Sequence, residues 1–407
     1  MLKLVLGASG SGKTTLLYAR IRARAEAGKR SILLVPEQFT SSTEARIYRE
    51  LGDALSGMVE SYSFTSLAEH ILAVEGGAAV QTLTDAGRAV LVRRALEELQ
   101  DNVHYYYRHR RSAAFCQMAA ETIDELKSAG LSGQQLQELA RDCGSESAKL
   151  GELALIFQGY ESLLAGTGMD PADRLELAAD RLEAALARDE LPDFLREREV
   201  FIDEFDTFNA PKKRLMGAML AALPAVTVAL CEDGAPMQPG DLELFSGAKQ
   251  VAAQLRQLAR KNGAQVAAPE LLRRDLRHKD APGLAALTEL LETGSCTPPE
   301  SAPELRLFAA ASREEEARCA AAAIRRLMRQ GVRCGKIAVV CRDISLYRAA
   351  VRYEFRMAEI PLYCDEPTTP EFSAPATAVR ALLALLRGAD MTEQLTVLAK
   401  TIGRAHV

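Results

Sequence analysis

Residues 1–18 read MLKLVLGASGSGKTTLLY. Leu2 to Leu6 are mostly apolar and β-prone, residues 7–14 fit G-x-x-x-x-G-K-[ST], and Thr15 opens a run of helix formers. Strand, glycine loop and helix in that order make a phosphate cradle. Only residues without bulky side chains let successive backbone N–H groups turn inward around an anion. Gly7, Gly10 and Gly12 supply that freedom among Ala8, Ser9 and Ser11. The helix behind the loop aims its N-terminus at the same spot, adding roughly half a positive charge. Lys13 is expected to reach the β and γ phosphates of ATP and the Thr14 hydroxyl to hold Mg²⁺, with Thr15 completing the cradle.

Gly28 and the Lys29-Arg30 pair close this helix, and residues 31–35 (SILLV) read as a second strand, completing a strand–helix–strand unit. Pro36-Glu37-Gln38-Phe39-Thr40 follows as a polar loop at a strand's carboxyl end. Open α/β sheets bind ligands there, so Gln38 joins the candidate nucleotide contacts. Val59 to Phe64 reads as a further strand. Ser63, Thr65 and Ser66 beyond it either donate to a phosphate backbone or, in the case of Thr65 or Ser66, cap a helix beginning at Leu67.

From about residue 81 to 190 the pattern turns to long helical periodicity, as in Ala89, Val92, Leu96 and Leu99. Within it lies HYYYRHRR, residues 104–111, the densest mixture of aromatic and basic side chains. It reads either as a stacking platform for single-stranded DNA or as a basic turn whose tyrosines pack on neighbouring helices. Residues 199–205 (EVFIDEF) return to strand and end in Asp203-Glu204. A carboxylate delivered to the sheet's carboxyl edge is what Mg-ATP requires: Asp203 can hold the metal's water shell and Glu204 can polarise an attacking water. Lys13 and Asp203 lie 190 residues apart. That is too far for a compact nucleoside kinase, which would also show a lid and an acceptor site soon after its first unit. It suits a motor domain carrying insertions.

Residues 225–230 (AVTVAL) read as another strand and 248–261 as an amphipathic helix ended by Asn262-Gly263. TGSCTPPESAP, residues 293–303, reads as a linker. Beyond it a second α/β rhythm is expected: strands over 305–309, 336–341 and 360–364, helices over 314–330, 344–357 and 374–387. Arg313 stands where a second lobe could offer a positive charge to a nucleotide, or simply opens a helix at the surface. The last six residues, IGRAHV, match one reading frame of a common sequencing-library adapter and are read as an artefact outside the fold.

The 407 residues exceed one ordinary core, so two or three domains are expected. With 48% apolar and 26% charged residues the chain reads as a globular protein, and no uninterrupted apolar run is long enough for a membrane span. The amino terminus is itself the first strand, which leaves no room for a signal peptide and implies a cytoplasmic protein. Eight cysteines without a C-x-x-C pair read as reduced packing residues, not a zinc site or disulfide framework. A net charge of −5 confines any DNA contact to a local basic surface.

The blocks together resemble the AddB family, one of the two components of the bacterial AddAB helicase-nucleases that process DNA double-strand breaks for recombination. LGASGSGKTTLL is similar to the family's nucleotide loop, LLVPEQFTSSTE to its V-P-[DE]-Q-x-[TS] segment, and SYSFTSLAEHIL to its S-F-x-x-L-A block. VFIDEFDTFNAPKKRLM resembles its I-D-x-F-x-x-F-x-P-x-E stretch, AASREEEARCAAAAIRRLM its A-x-x-R-x-x-E block, and EIPLYCDE its I-P-[YF]-x-x-D. The likeness covers essentially residues 1 to 400.

It implies a superfamily-one helicase-like α/β fold. The first RecA-like lobe spans 1–80 and 196–292, a helical insertion 81–195, and an incomplete second lobe 304–401. It implies ATP with Mg²⁺ as ligand, DNA ends and single strands as substrates, and an AddA-type helicase-nuclease as partner in a heterodimer. Gly7, Gly10, Gly12, Lys13 and Thr14 match the nucleotide loop; Asp203 and Glu204 match motif II, where relatives often carry Gly in place of Glu204. Asn209-Ala210-Pro211-Lys212-Lys213 departs from the family's Thr-Pro-Gln-Glu and leaves the cap of the next helix in question. The family's nuclease half, with its iron-sulfur cluster, has no counterpart here, and the cysteines do not match the cluster positions. Two functions follow: an ATP-driven helicase-like subunit, or a DNA-scanning scaffold that binds ATP as a regulatory ligand without hydrolysing it.

Overall fold

The computed structural model describes residues 1–77, 81–235, 244–364 and 373–402. They divide into two compact units, 1–305 and 306–407, of which the second is described through 402.

The first unit is built on six parallel strands: β1 (Leu2–Gly7), β2 (Ser31–Leu34), β3 (Val59–Tyr62), β4 (Glu199–Ile202), β5 (Ala225–Cys231) and β6 (Glu270–Leu272). Their order across the sheet is β3-β2-β4-β5-β1-β6. This α/β arrangement is compatible with a RecA-like fold. The strand–helix–strand unit read from the sequence is therefore split in space, because β5 and β4 slot between β1 and β2. The helices of this unit are α1 (Lys13–Glu26), α2 (Thr40–Leu51), the single turn α3 (Asp53–Ser56), α4 (Phe64–Glu75), α5 (Asp85–Glu98), α6 (Ala113–Ser128), α7 (Gly133–Ala140), α8 (Ser147–Leu164), α9 (Pro171–Ala187), α10 (Ala210–Ala222), α11 (Ser246–Lys261) and α12 (Pro282–Thr293).

Alternation along the strands feeds two cores. Leu4, Leu6, Ile32, Val200, Ile202, Val226 and Val228 face α4, α9, α10 and α11. Val5, Leu33, Phe201 and Ala229 face α1 and α2. Both faces are covered, which is why these strands read as continuous apolar runs. Each fully buried Leu, Ile or Phe contributes about 1.5–3 kcal/mol by leaving water.

Helices α5 to α8 enclose a core of their own, centred on Val92, Leu96, Ile123, Phe157 and Tyr160. Helix α9 instead packs Leu175, Ala178 and Leu182 into the sheet core. The two layers are tied together by Lys127, whose ammonium reaches Asp170 and Asp173 at 2.8 Å each. The Tyr160 hydroxyl donates to the other Asp170 oxygen at 2.7 Å. Burial alone would push the Lys127 ammonium down, but the hydrogen bonds to Asp170 and Asp173 hold it above its ordinary value.

Three local expectations are revised. The Pro36–Thr40 segment is not a loop: a 3₁₀ turn at Glu37–Phe39 runs directly into α2. Helix α4 starts at Phe64, three residues early, and Ser63 is its cap. The Ser63 hydroxyl accepts from Ser66 N–H while Ser66 reciprocates, so these hydroxyls are spent on a capping box. Asn209 does cap α10, accepting from Lys212 N–H at 3.1 Å, with a proline in the first turn.

The second unit contains α13 (Arg313–Arg329), α14 (Ile344–Met357), α15 (Ala374–Leu386) and α16 (Met391–Ile402). Ala317, Ala321, Ile324, Val351, Phe355 and Ile360 form its small core. The strands expected over 305–309, 336–341 and 360–364 are not formed: none of these segments has a ladder partner among the described residues. Extended backbone without a partner strand is not a strand. Of the terminal IGRAHV segment, residues 403–407 lie outside the described residues.

Candidate nucleotide site

Parallel strands place their carboxyl ends along one edge, and there the register sets Gly7 of β1 beside Cys231 of β5. Strand β4 is the next neighbour of β5, so Asp203, one residue past its end, arrives at the same edge. Asp203 N–H donates to the Leu34 carbonyl at 3.1 Å, which fixes its approach.

The loop over residues 7–12 needs its glycines. Gly10 and Gly12 adopt φ of 83° and 93°, a region that costs other residues roughly 1–2 kcal/mol. Lys13 is half-buried, and its ammonium donates to the Gly7 and Ala8 carbonyls at 2.6 and 2.8 Å. Burial lowers its pKa, Cys231 and Asp203 oppose that, and Arg277 adds to it. The Ser11 hydroxyl is buried without a hydrogen-bond partner among the described residues.

Asp203 is 5% exposed. Burial raises its pKa, against a hydrogen bond from the Thr14 side chain, one from Glu204 N–H at 3.0 Å, and the charges of Lys13 and Arg46. Glu204 is exposed; partial burial and the neighbouring Asp203 raise its carboxyl, and Arg46 opposes them. Its backbone is left-handed, at φ 65°.

A cavity of about 540 Å³ gathers these groups. Ser9, Gly10, Gly12, Lys13, Thr14, Thr15, Asp203 and Glu204 all line it, while Gly7, Ala8 and Ser11 form the loop behind. Gln38 does not line it: with residues 37–39 coiled into a turn, Gln38 lines an adjoining groove with Ser63 and Lys212 that shares Glu204, Phe205 and Asp206 with the cavity. Arg313 belongs to the second unit, where it opens α13 with its guanidinium 6.0 Å from the Tyr347 ring centre.

Three further cavity residues belong to no motif read from the sequence. Arg46 comes from α2. Leu276 and Arg277 come from the segment after β6, which latches on the glycine loop: Leu276 N–H donates to the Gly10 carbonyl at 3.0 Å and Arg277 to the Ser9 hydroxyl at 3.2 Å. The basic run RRDLRHK over 273–279 is the only hint of that latch in the sequence.

The donor set fits Mg²⁺, which keeps most of its water and takes one or two protein oxygens besides phosphate. Thr14 and Asp203 would be the residues to supply them. A cluster of three or more His, Cys, Asp or Glu side chains suited to a metal does not occur among the described residues, and the eight cysteines are free, so the described residues do not fit an iron-sulfur cluster.

In the aromatic-basic segment 104–111, Tyr106, Tyr107 and Arg110 are half-buried, while His104, Tyr105, Arg108, His109 and Arg111 are exposed. Glu152 accepts from the backbone N–H of His104, Tyr105 and Tyr106. Tyr106 stacks on Phe115, and Arg110 covers the Tyr107 ring at 3.8 Å. The Tyr106 and Tyr107 rings thus already have partners, whereas Tyr105 is 45% exposed. No helix among the described residues is long and apolar enough to cross a membrane.

Residues 4–288 match the family model described as ADDB, N-terminal. The chain is 34% identical over 381 residues to a protein of Desulforudis audaxviator, covering 89% of this chain and 32% of that one. It is 33% identical over 379 residues to one of Moorella thermoacetica, with coverage of 89% and 32%. With one of Symbiobacterium thermophilum it shares 32% over 404 residues, covering 94% and 34%. All three carry the name of the B-type subunit of an ATP-dependent helicase/deoxyribonuclease. The chain spans about a third of the length of these relatives.

Proposed function

The chain belongs to the AddB amino-terminal family, and from that premise we propose that its first unit is the Mg-ATP-binding module of a subunit that processes DNA double-strand ends. The observation that carries this is the convergence of Lys13 and Thr14 with Asp203 in one cavity from positions 190 residues apart. Lys13 would hold the β and γ phosphates once its ammonium leaves the Gly7 and Ala8 carbonyls. The Thr14 and Asp203 oxygens would hold the metal, which neutralises charge on the phosphates when bound. Glu204 is the residue for positioning a water. The loop, the acid pair and the parallel sheet together support a P-loop, helicase-like lobe. The relatives' names support DNA as the substrate of the assembled protein and a second subunit as its partner; that this partner is of AddA type and that the pair acts in the cytoplasm are part of the proposal.

Against a second reading, ATP as a regulatory ligand of a DNA-scanning scaffold, stands Glu204, which occupies a strained left-handed backbone. A residue retained for hydrolysis has reason to stay there; a site freed from turnover has none, and the family's frequent Gly fits the backbone better. Nucleotide binding to the wild-type chain and to Lys13→Ala tests the shared premise, with at least tenfold weaker binding expected for the variant. Phosphate release by wild type and Glu204→Gln then separates the readings: a loss of release in the variant marks hydrolysis, and no release from either marks a ligand site.

A further inference from the structure

Helix α2 begins immediately after the 3₁₀ turn that follows β2, which brings its first two turns to the carboxyl edge of the sheet. Thr43 and Ile47 are buried, 6% and 5% exposed, and pin one face of the helix. Arg46, between them in the helical turn, is left facing the cavity that Lys13, Thr14, Asp203 and Glu204 line. Its guanidinium carbon stands 4.8 Å from the Tyr18 ring centre. Tyr18 is itself buried, with its phenol pushed up to about 12, first by burial. Among the described residues Arg46 closes no ion pair within 4 Å.

A guanidinium spread over an aromatic ring keeps its charge and loses little rotamer freedom when it binds, and its planar fork suits two oxygens of one phosphoryl group. The other ends of the site are taken. Lys13 bridges the β and γ phosphates from the loop side, Thr14 and Asp203 serve the metal, and Arg277 is tied to Ser9. Arg46 shares its part of the wall with Asp203 and Glu204, the side on which the terminal phosphate of a nucleotide held by Lys13 would lie.

We propose that Arg46 reads the terminal phosphate: held over Tyr18, its fork takes two outermost oxygens of a triphosphate, so this unit separates triphosphate from diphosphate with its own residues. The inference rests on the nucleotide reading above, and its test distinguishes the two. The full chain is titrated in Mg²⁺ with ADP and with an ATP analogue whose β–γ bridge is nitrogen. Wild type is expected to prefer the analogue by about tenfold or more. Arg46→Ala should remove most of that preference by weakening the analogue while leaving ADP within about twofold. Arg46→Lys, which keeps the charge without the fork, should recover part of it. The ratio is insensitive to a misfolded fraction, which depletes both titrations alike. A wild-type chain that binds both nucleotides equally, or an Arg46→Ala variant that keeps the preference or weakens both alike, overturns the role of Arg46 and leaves the nucleotide site standing. A wild-type chain that binds neither overturns both.

Discussion

Two stretches of this chain carry the same alternation of apolar runs and amphipathic helices, yet among the described residues only the first builds a sheet. In residues 1–305, Ile32, Val200 and Val226 are all 0% exposed, because neighbouring strands take up their backbone groups and helices cover both faces. In the second unit, Leu307 and Val340 lie in runs just as apolar and are 102% and 90% exposed. A helix is closed by hydrogen bonds four residues away and is legible in a short window; a strand exists only when a distant segment supplies its ladder. The same difference decides where a site can form. The acid pair meets the glycine loop because β4 and β1 are held by one sheet, an anchorage the second unit lacks among its described residues.

The comparison is sharpest in stability. Phe201→Ala, deep under α1, should cost about 3–5 kcal/mol, read as a lower denaturant midpoint; a cost near zero would mean that the sheet core is not what holds the first unit. Asp203→Asn should move the other way. The Asp203 carboxyl titrates above its ordinary 3.8 in the fold, so the folded state binds its proton more tightly than the unfolded chain does. Its contribution is then full below pH 3.8 and lost as pH rises through the folded value. At pH 7 the asparagine variant should be more stable by about 1 kcal/mol, a gap that closes in acid; a gap that widens in acid would reverse the assignment.

Glu204→Gly should gain up to about 1 kcal/mol by relieving the left-handed backbone, whereas Glu204→Ala should not. Equal melting temperatures for the two variants would remove the strain argument. Leu307→Ala, in the unpaired segment, should stay within about 0.5 kcal/mol of wild type. A cost of several kcal/mol there would show that the segment is packed after all.

Gly7 to Thr14 and Asp203-Glu204 are legible in the sequence because each is a short contiguous pattern whose residue types carry one chemistry. Helices α1, α11, α13 and α14 are legible through their periodicity and end signals. Strand β6 is not: Glu270-Leu271-Leu272 is three residues long, follows a proline and has no β-branched side chain. With it goes the latch of Leu276 and Arg277, since a lone arginine on a loop has no pattern until the sheet sets its neighbours. Arg46 is hidden for the same reason. The turn at Gln38 is hidden because a polar pentapeptide after a strand looks like a loop, while Glu37–Phe39 coils and sets the side chain in the groove adjoining the cavity.

The central claim is that one magnesium is shared between Thr14 at the glycine loop and Asp203 at the end of β4. Affinity for the nitrogen-bridged ATP analogue, measured with Mg²⁺ and with a chelator in wild type and in Asp203→Ala, tests it directly. The account predicts that Mg²⁺ strengthens wild-type binding by about tenfold or more and that the variant loses this increment while still binding without the metal. An Mg²⁺ increment of equal size in both proteins would contradict it.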